Sequence, residues 1–206
     1  MTHNFKKSTT DSHPSVVVIA GPNGAGKSTS APQLLAELMG VTEFVNADTI
    51  ASGLSAFEPE KAAVAAGRIM LTRLKELADQ ETNFAFETTL ASRSFAPWLE
   101  QLKIDSKYHL HLVYLWLPSS DLAIARVKSR VATGGHNVPN ETIARRFERS
   151  LNNFFNLYKP LSNSWRFYNA SEAKIQLIAS GGSAGAKISD SKLWNELARK
   201  YLNGNK

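Results

Sequence analysis

Hydrophobic and polar positions divide the chain into short apolar runs separated by longer periodic stretches. Ser15-Val16-Val17-Val18-Ile19-Ala20 offers no polar position for a solvent face, so it predicts a strand buried on both sides of a parallel sheet. A glycine-rich turn follows, and Ser28 to Met39 then predicts a helix stopped by Gly40. Phe44-Val45-Asn46 reads as a short second strand leading to Asp48. Pro59 opens a helix whose apolar stripe is Ala62, Ala65, Ala66, Ile69, Met70, Leu74 and Leu77. Asn83–Phe86 is a third strand running into Glu87-Thr88-Thr89, and Phe95–Leu102 a helix. His109–Leu117 is a fourth strand closed by Pro118.

Asp121 is placed to cap a helix reaching Ala132, broken by Gly134-Gly135, and Asn140 to cap another ending near Pro160. Arg166–Tyr168 and Ile175–Ala179 read as further strands, Gly181–Gly185 as a flexible loop, and the C-terminal stretch through Leu193, Trp194, Leu197, Ala198 and Tyr201 as an amphipathic helix. Strands alternating with helices predict a three-layer α/β/α sandwich of the P-loop NTPase kind, its mostly parallel sheet having about five to six strands.

Composition narrows this picture. At 206 residues the chain suits one full core, expected over residues 15–206 after a flexible leader, 1–14. No apolar run reaches the length of about eighteen residues that a membrane span needs, and the leader lacks the apolar core of a secretory signal. Absence of cysteine removes disulfides, thiolate metal sites and a cysteine nucleophile, and fits a cytoplasmic location. The net charge of +6 is concentrated. Arg126, Lys128, Arg130, Arg145, Arg146 and Arg149 face only Glu141 and Glu148 in the same window. A nucleic-acid binder would spread its cations among aromatics, so no nucleic-acid partner is expected. Clustering points instead to an arginine-rich helical lid, about 126–150, that meets the phosphates of a small nucleotide, or to a solvated helix face.

Gly21-Pro22-Asn23-Gly24-Ala25-Gly26-Lys27-Ser28, followed by Thr29, matches the phosphate-loop pattern at every fixed position and sits between a predicted strand and a predicted helix. Glycines there let backbone N–H groups curl around an anion, and the helix N-terminus adds its dipole. Lys27 would contact the β- and γ-phosphates of ATP or GTP, and Ser28 would ligate Mg²⁺. The reaction must be read elsewhere. No Asn/Thr-Lys-x-Asp base-reading motif argues for a GTPase, and no hydrophobic run ends in the Asp-Glu pair of motion-driving ATPases. A kinase remains.

Ligands of parallel α/β sheets gather at the carboxyl ends of strands, where Asp48 and Glu87 fall. Asp48 is suited to accept a proton from an attacking hydroxyl, or to cap the next helix. Glu87, with two hydroxyls after it, is suited to hold Mg²⁺-bound water or sugar hydroxyls, or to form a strand-end ion pair.

These residues, with Asn46-Ala47-Asp48, Phe84-Ala85-Phe86-Glu87-Thr88-Thr89-Leu90, Arg130-Val131-Ala132-Thr133-Gly134-Gly135-His136-Asn137-Val138-Pro139 and Arg145-Arg146-Phe147-Glu148-Arg149-Ser150-Leu151, occur in an order that resembles the zeta-toxin family of P-loop kinases, particularly its short stand-alone members. The resemblance implies an ATP- and Mg²⁺-dependent kinase acting on a hydroxyl of a small molecule, in better-studied members UDP-N-acetylglucosamine. Some members are toxins neutralised by a small antitoxin, which brings an antitoxin protein into view as a partner. It implies Asp48 as proton acceptor, Glu87 and Thr89 as substrate contacts, and Arg130 and Arg146 as phosphate-contacting arginines, with Arg126 and Arg145 the alternatives. The chain lacks much of the substrate-binding elaboration of the larger toxins.

Other residues carry weaker signals. His136, in the predicted lid, is placed to touch substrate or to brace the lid. Arg93 could bind a substrate phosphate or cap a helix, and Asn169 ends a strand where the adenine is often seated. His109 and His111 read as surface or core histidines, and Trp165, Phe167 and Tyr168 as core. The rival to a kinase is a nucleotide-dependent interaction module acting through a partner, and a kinase of nucleosides or antibiotics is a third reading.

Overall fold

The computed structural model describes residues 13–36, 41–135 and 137–202. Seven strands form one sheet in the order β2-β3-β1-β4-β5-β6-β7. They are β1 (Ser15–Ala20), β2 (Glu43–Val45), β3 (Phe84–Thr88), β4 (His109–Trp116), β5 (Ser164–Asn169), β6 (Gln176–Gly182) and β7 (Gly185–Ile188). The first five pair in parallel, and β6 and β7 run antiparallel at one edge. Among the described residues eight α-helices accompany them: α1 (Lys27–Ala36), α2 (Ala47–Leu54), α3 (Pro59–Asp79), α4 (Phe95–Asp105), α5 (Ser120–Ala132), α6 (Asn140–Asn153), α7 (Lys159–Leu161) and α8 (Ser191–Leu202). Helices layered on both faces of this mostly parallel sheet make the three-layer α/β/α sandwich of the P-loop NTPase fold.

The order places β1 centrally, between β3 and β4, and every residue from Val16 to Ala20 is at most 1% exposed, as an unbroken β-branched run requires. Phe86, Val18 and Leu112 stand in register, as do Tyr114 and Phe167, so alternate residues of adjacent strands share one face. α4 covers that face with Phe95 and Trp98 against Phe86. A π-helical turn, Phe154–Tyr158, and α8 cover the rest, with Phe154, Phe155 and Trp194 packed around Phe167 and Trp165 against Phe154 and Trp194. Trp165, Phe167 and Tyr168 are core residues, as expected.

Several local expectations are corrected. The Gly181–Gly185 stretch joins two antiparallel strands: Gly182 pairs with Gly185, and β7 makes the sheet one strand larger than expected. Gly181 lies against the Trp165 ring, where a Cβ would come within 2.6 Å. Residues 47–54, unassigned from sequence, form α2, whose only buried residue is Ala51. Caps also shift: Ser119 Oγ, not Asp121, accepts from Leu122 N–H, and Pro139, not Asn140, precedes α6. The helix expected from Asn140 to near Pro160 changes to the π turn at Phe154, and consecutive Phe154 and Phe155 are both buried there. The end of the helix expected to Met39 and its stop at Gly40, like the leader to residue 12, lie outside the described residues.

Candidate active site

The glycine loop leaves β1 at Gly21, whose φ is +145° and where a Cβ would meet the Leu115 carbonyl oxygen at 2.3 Å, so no side chain fits. Gly24 (φ +78°) presses on α5, a Cβ there falling 2.8 Å from Ala123 O and 3.1 Å from Arg126 Cβ. The loop is thereby seated on β4 and α5 before α1 begins. Ala25 N–H closes the turn onto Pro22 O at 3.2 Å.

Lys27 folds back across this loop. Its Nζ donates to Pro22 O at 3.0 Å and lies 3.6 Å from Glu87 Oε1. Burial holds its ammonium below the ordinary lysine range, a shift opposed by Glu87 and then Asp48 and reinforced by Arg130. Four cleft residues thus share one field. Ser28 Oγ donates to Glu87 Oε2 at 2.6 Å, and Asn46 Nδ2 donates to the same oxygen at 2.8 Å and to Ser28 Oγ at 3.2 Å. The sheet order explains the meeting: β3 lies beside β1, Glu87 in register with Ile19, two positions before the loop.

Asp48 is corrected in place though not in neighbourhood. It does not end β2 but sits in the first turn of α2, and the cap is Asn46, whose Oδ1 accepts from Asp48 N–H at 2.8 Å and Thr49 N–H at 3.3 Å. Its neighbour at the end of β2 was therefore the residue missed as a site member. Asn46 is buried, caps α2 with its oxygen and holds Glu87 and Ser28 with its nitrogen. An Asn one residue before a helix is a legible cap signal; its second hand is not.

A cleft of about 750 Å³ brings these residues together with α5 and α6. Lys27, Ser28, Thr29, Asn23, Asp48, Glu87, Thr89, Arg126, Arg130 and Arg146 all line it. Its apolar wall comes from Val64, Met70, Leu71, Phe95 and Val138. Arg126 also ties down the turn after β5, donating to Ala170 O at 2.7 Å and Ser171 O at 2.6 Å. The loop after β3 is held rigidly. Leu90 is fully buried in the left-handed region (φ +59°), its N–H donating to Thr88 Oγ1, while Asn153 Nδ2 donates to Leu90 O at 2.8 Å and Tyr158 OH to Ser92 O at 2.7 Å. Across the mouth, Asn137 N–H reaches Glu60 Oε1 at 3.5 Å.

Two expected site residues, Arg93 and Asn169, are not brought to this cleft. Arg93 is exposed and lines a separate groove with Pro97, Glu100 and Lys103. Asn169 turns its Oδ1 to Ser171 N–H at 2.9 Å, capping its own turn. His136 lies outside the described residues. Arg145, an alternative lid arginine, is exposed on α6.

A strand, a glycine loop and a helix with a lysine and a serine at its start, beside a carboxylate on the adjacent strand, define a P-loop nucleotide-binding protein. A family model described as "AAA domain" matches residues 16–155, and the chain belongs to that family. It is 27% identical over 133 residues to an "Uncharacterized protein" of Haemophilus influenzae, covering 64% of this chain and 91% of that one. Among solved structures, it resembles a chain of the AvrRxo1-ORF1:AvrRxo1-ORF2 structure with sulphate ions (TM-score 0.74, 16% identity, 90% of this chain). The same complex with ATP gives a TM-score of 0.70 at 16% identity over 90% of this chain. The chain spans 63% of the length of that relative. It also resembles a structure from the PezAT chromosomal toxin-antitoxin system of Streptococcus pneumoniae (TM-score 0.63, 13% identity, 98% of this chain and 83% of the other). At such identities the likeness is one of fold. No described helix is long and apolar enough to cross a membrane.

Proposed function

We propose that this chain is an ATP- and Mg²⁺-dependent kinase of the zeta-toxin type, transferring the γ-phosphoryl group to a hydroxyl of a small molecule, with a sugar nucleotide the favoured acceptor class. In this reading, residues 15–206 form one kinase domain whose lid is about 126–150. The observation that carries it is the shared cleft, in which Asp48 stands beside the Lys27–Glu87–Ser28 network opposite Arg130 and Arg146.

The residues present fit the groups such a reaction needs. Asn23 Oδ1 is buried in the loop without a hydrogen-bond partner, and the same amide turned end for end would offer its N–H groups to a phosphate. For Mg²⁺, the Ser28 hydroxyl and the Glu87 carboxylate are hard oxygen donors lining one cleft. Among the described residues no three His, Cys, Asp or Glu form a metal cluster, and magnesium held by one or two carboxylates plus phosphates needs none. Held by these oxygens, the ion would supply positive charge that neutralises the phosphates.

The chain's own residues do the rest. Lys27 and the loop N–H groups hold the triphosphate, Glu87 and Ser28 hold the metal side, and Asn46 keeps both in place. Asp48 takes the proton of the attacking hydroxyl, while Arg130 and Arg146 meet the charge that spreads over the transferring group. Thr89 and the apolar wall of α3 bound the acceptor side. Arg93, Asn169 and Arg145 have no part in this reading.

A structure with ATP and a toxin–antitoxin system among the similar folds support nucleotide use and make an antitoxin-like partner worth seeking. They also keep the second reading, a nucleotide-binding module acting through a partner, in view. Purified protein with ATP, Mg²⁺ and a pool of nucleotide sugars and nucleosides separates the two. Acceptor-dependent ADP release is expected; tight ATP binding with no acceptor-stimulated turnover would favour the module.

A further inference from the structure

We propose that Gly135 is a positioning residue: it is glycine so that the stem of Arg130 can lie across it, aiming the guanidinium into the phosphate cleft. This rests on Arg130 being a phosphate contact, as proposed above.

α5 ends in a two-glycine cap whose members have different reasons to be glycine. Gly134 N–H donates to Val131 O at 3.0 Å and Gly135 N–H to Arg130 O at 2.9 Å, the paired bonds of a Schellman ending. Gly134 has φ +87°, and that backbone conformation accounts for it. Gly135 has no such φ. What excludes a side chain there is contact: a Cβ would fall 2.5 Å from Arg130 Cγ, 3.1 Å from its Cδ and 2.9 Å from its carbonyl oxygen. These are the root of the arginine and the last turn of the helix, not a mobile tip, so even alanine must move both.

Movement there reaches the cleft. Arg130 lines it and is close enough to lower the pKa of Lys27. The other end of the same helix face is fixed, since Ala123 and Arg126 carry the close approach of Gly24. Spacing from Ala123 to Arg126 to Arg130 keeps all three on one side of α5. The phosphate loop and Arg130 are thus referenced to one rigid helix, and Gly135 sets the last part of that path.

A double-mutant cycle tests this on the full chain, with ATP and ADP affinities in Mg²⁺ measured by calorimetric titration and Tm measured alongside. Arg130→Ala should lower the preference for ATP over ADP by about tenfold, the loss of roughly one charge-assisted contact. Gly135→Ala should lower it to a similar extent, and the double variant should fall no further than Arg130→Ala alone. Where Gly135→Ala also lowers Tm, removing the arginine stem should restore part of it. An unchanged preference in Gly135→Ala, an equal further loss on the Arg130→Ala background, or a Tm loss that the double variant does not relieve would each overturn the proposal. An unchanged preference in Arg130→Ala alone would remove its premise, and that result is visible in the single variant.

Discussion

At the residue scale the site is organised by Asn46 rather than by its better-marked neighbours. Lys27 and Ser28 come with the loop and reach Glu87 of β3 directly, and one amide braces that contact, holding Glu87 Oε2 and Ser28 Oγ while capping α2. Asn46→Ala should therefore do two things. Loss of the cap should lower stability by about 1 kcal/mol, as measured by denaturant titration. Transfer should fall further than that loss explains, because Glu87 and Ser28 lose their shared donor. Asn46→Ser separates the effects, since serine retains a cap but is too short to hold Glu87; transfer should stay low while stability returns. Equal activity in Asn46→Ala and wild type would show that the amide serves only the helix.

Legibility differed for the same reason. The phosphate loop was readable because glycine spacing is a local property, and β1 because burial on both faces leaves an unbroken β-branched run. Asn46 was not, because its second role depends on a residue 41 positions away that only the sheet order brings near. Arg93 and Asn169 stand out by chain position alone, and neighbouring atoms turn Asn169 elsewhere.

At the scale of elements, α6 and the π turn tie one wall of the cleft to the loop after β3. α6 carries Arg146 on its cleft side and Asn153 at its end, and Asn153 holds the carbonyl of Leu90 in a backbone conformation that leucine rarely adopts. A non-glycine residue in that region costs about 1–3 kcal/mol and persists only where its surroundings enforce it. Thr88, Asn153 and the buried Leu90 side chain are the enforcement, and Thr89 lies between the first and the last. Asn153→Ala should raise the acceptor KM by roughly tenfold, on the scale of one lost hydrogen bond, and leave the ATP KM unchanged. A parallel rise in both would mean that α6 as a whole had shifted. The sequence showed α6 as a helix but gave no sign of the π turn, since adjacent aromatics break neither helical periodicity nor any cap rule. α2 was missed for the opposite reason: a short helix with one buried residue has too weak an apolar stripe to register.

At the scale of the whole molecule, the end of the sheet away from the phosphate loop makes its own prediction. His111 donates or accepts through Nδ1 to Ser164 Oγ at 2.7 Å, and its pKa falls from 6.5 to about 4 through burial first, then the charges of His109 and Arg166. A neutral histidine favoured in the fold takes up its proton more readily once unfolded. Stability is then fully present above the unfolded value of 6.5 and is lost as pH falls toward about 4. Tm should drop between about pH 7 and about pH 4.5, and drop less in His111→Asn, which keeps a hydrogen-bonding side chain toward Ser164. Identical pH profiles would place the acid sensitivity elsewhere. The site is remote from this cluster, so nucleotide affinity measured above pH 7 should be the same in both proteins.

The central claim is that the cleft moves a phosphoryl group from ATP to a hydroxyl, with Asp48 as the proton acceptor. Mass spectrometry of a small-molecule cell extract incubated with ATP, Mg²⁺ and either wild-type protein or Asp48→Asn tests it directly. Wild-type protein should produce a metabolite that gains one phosphate. Asp48→Asn, with ATP affinity intact, should slow its formation by about 10²–10⁴-fold, the range of general-base catalysis. No phosphorylated product from wild-type protein, or the same product at the same rate from Asp48→Asn, would contradict it.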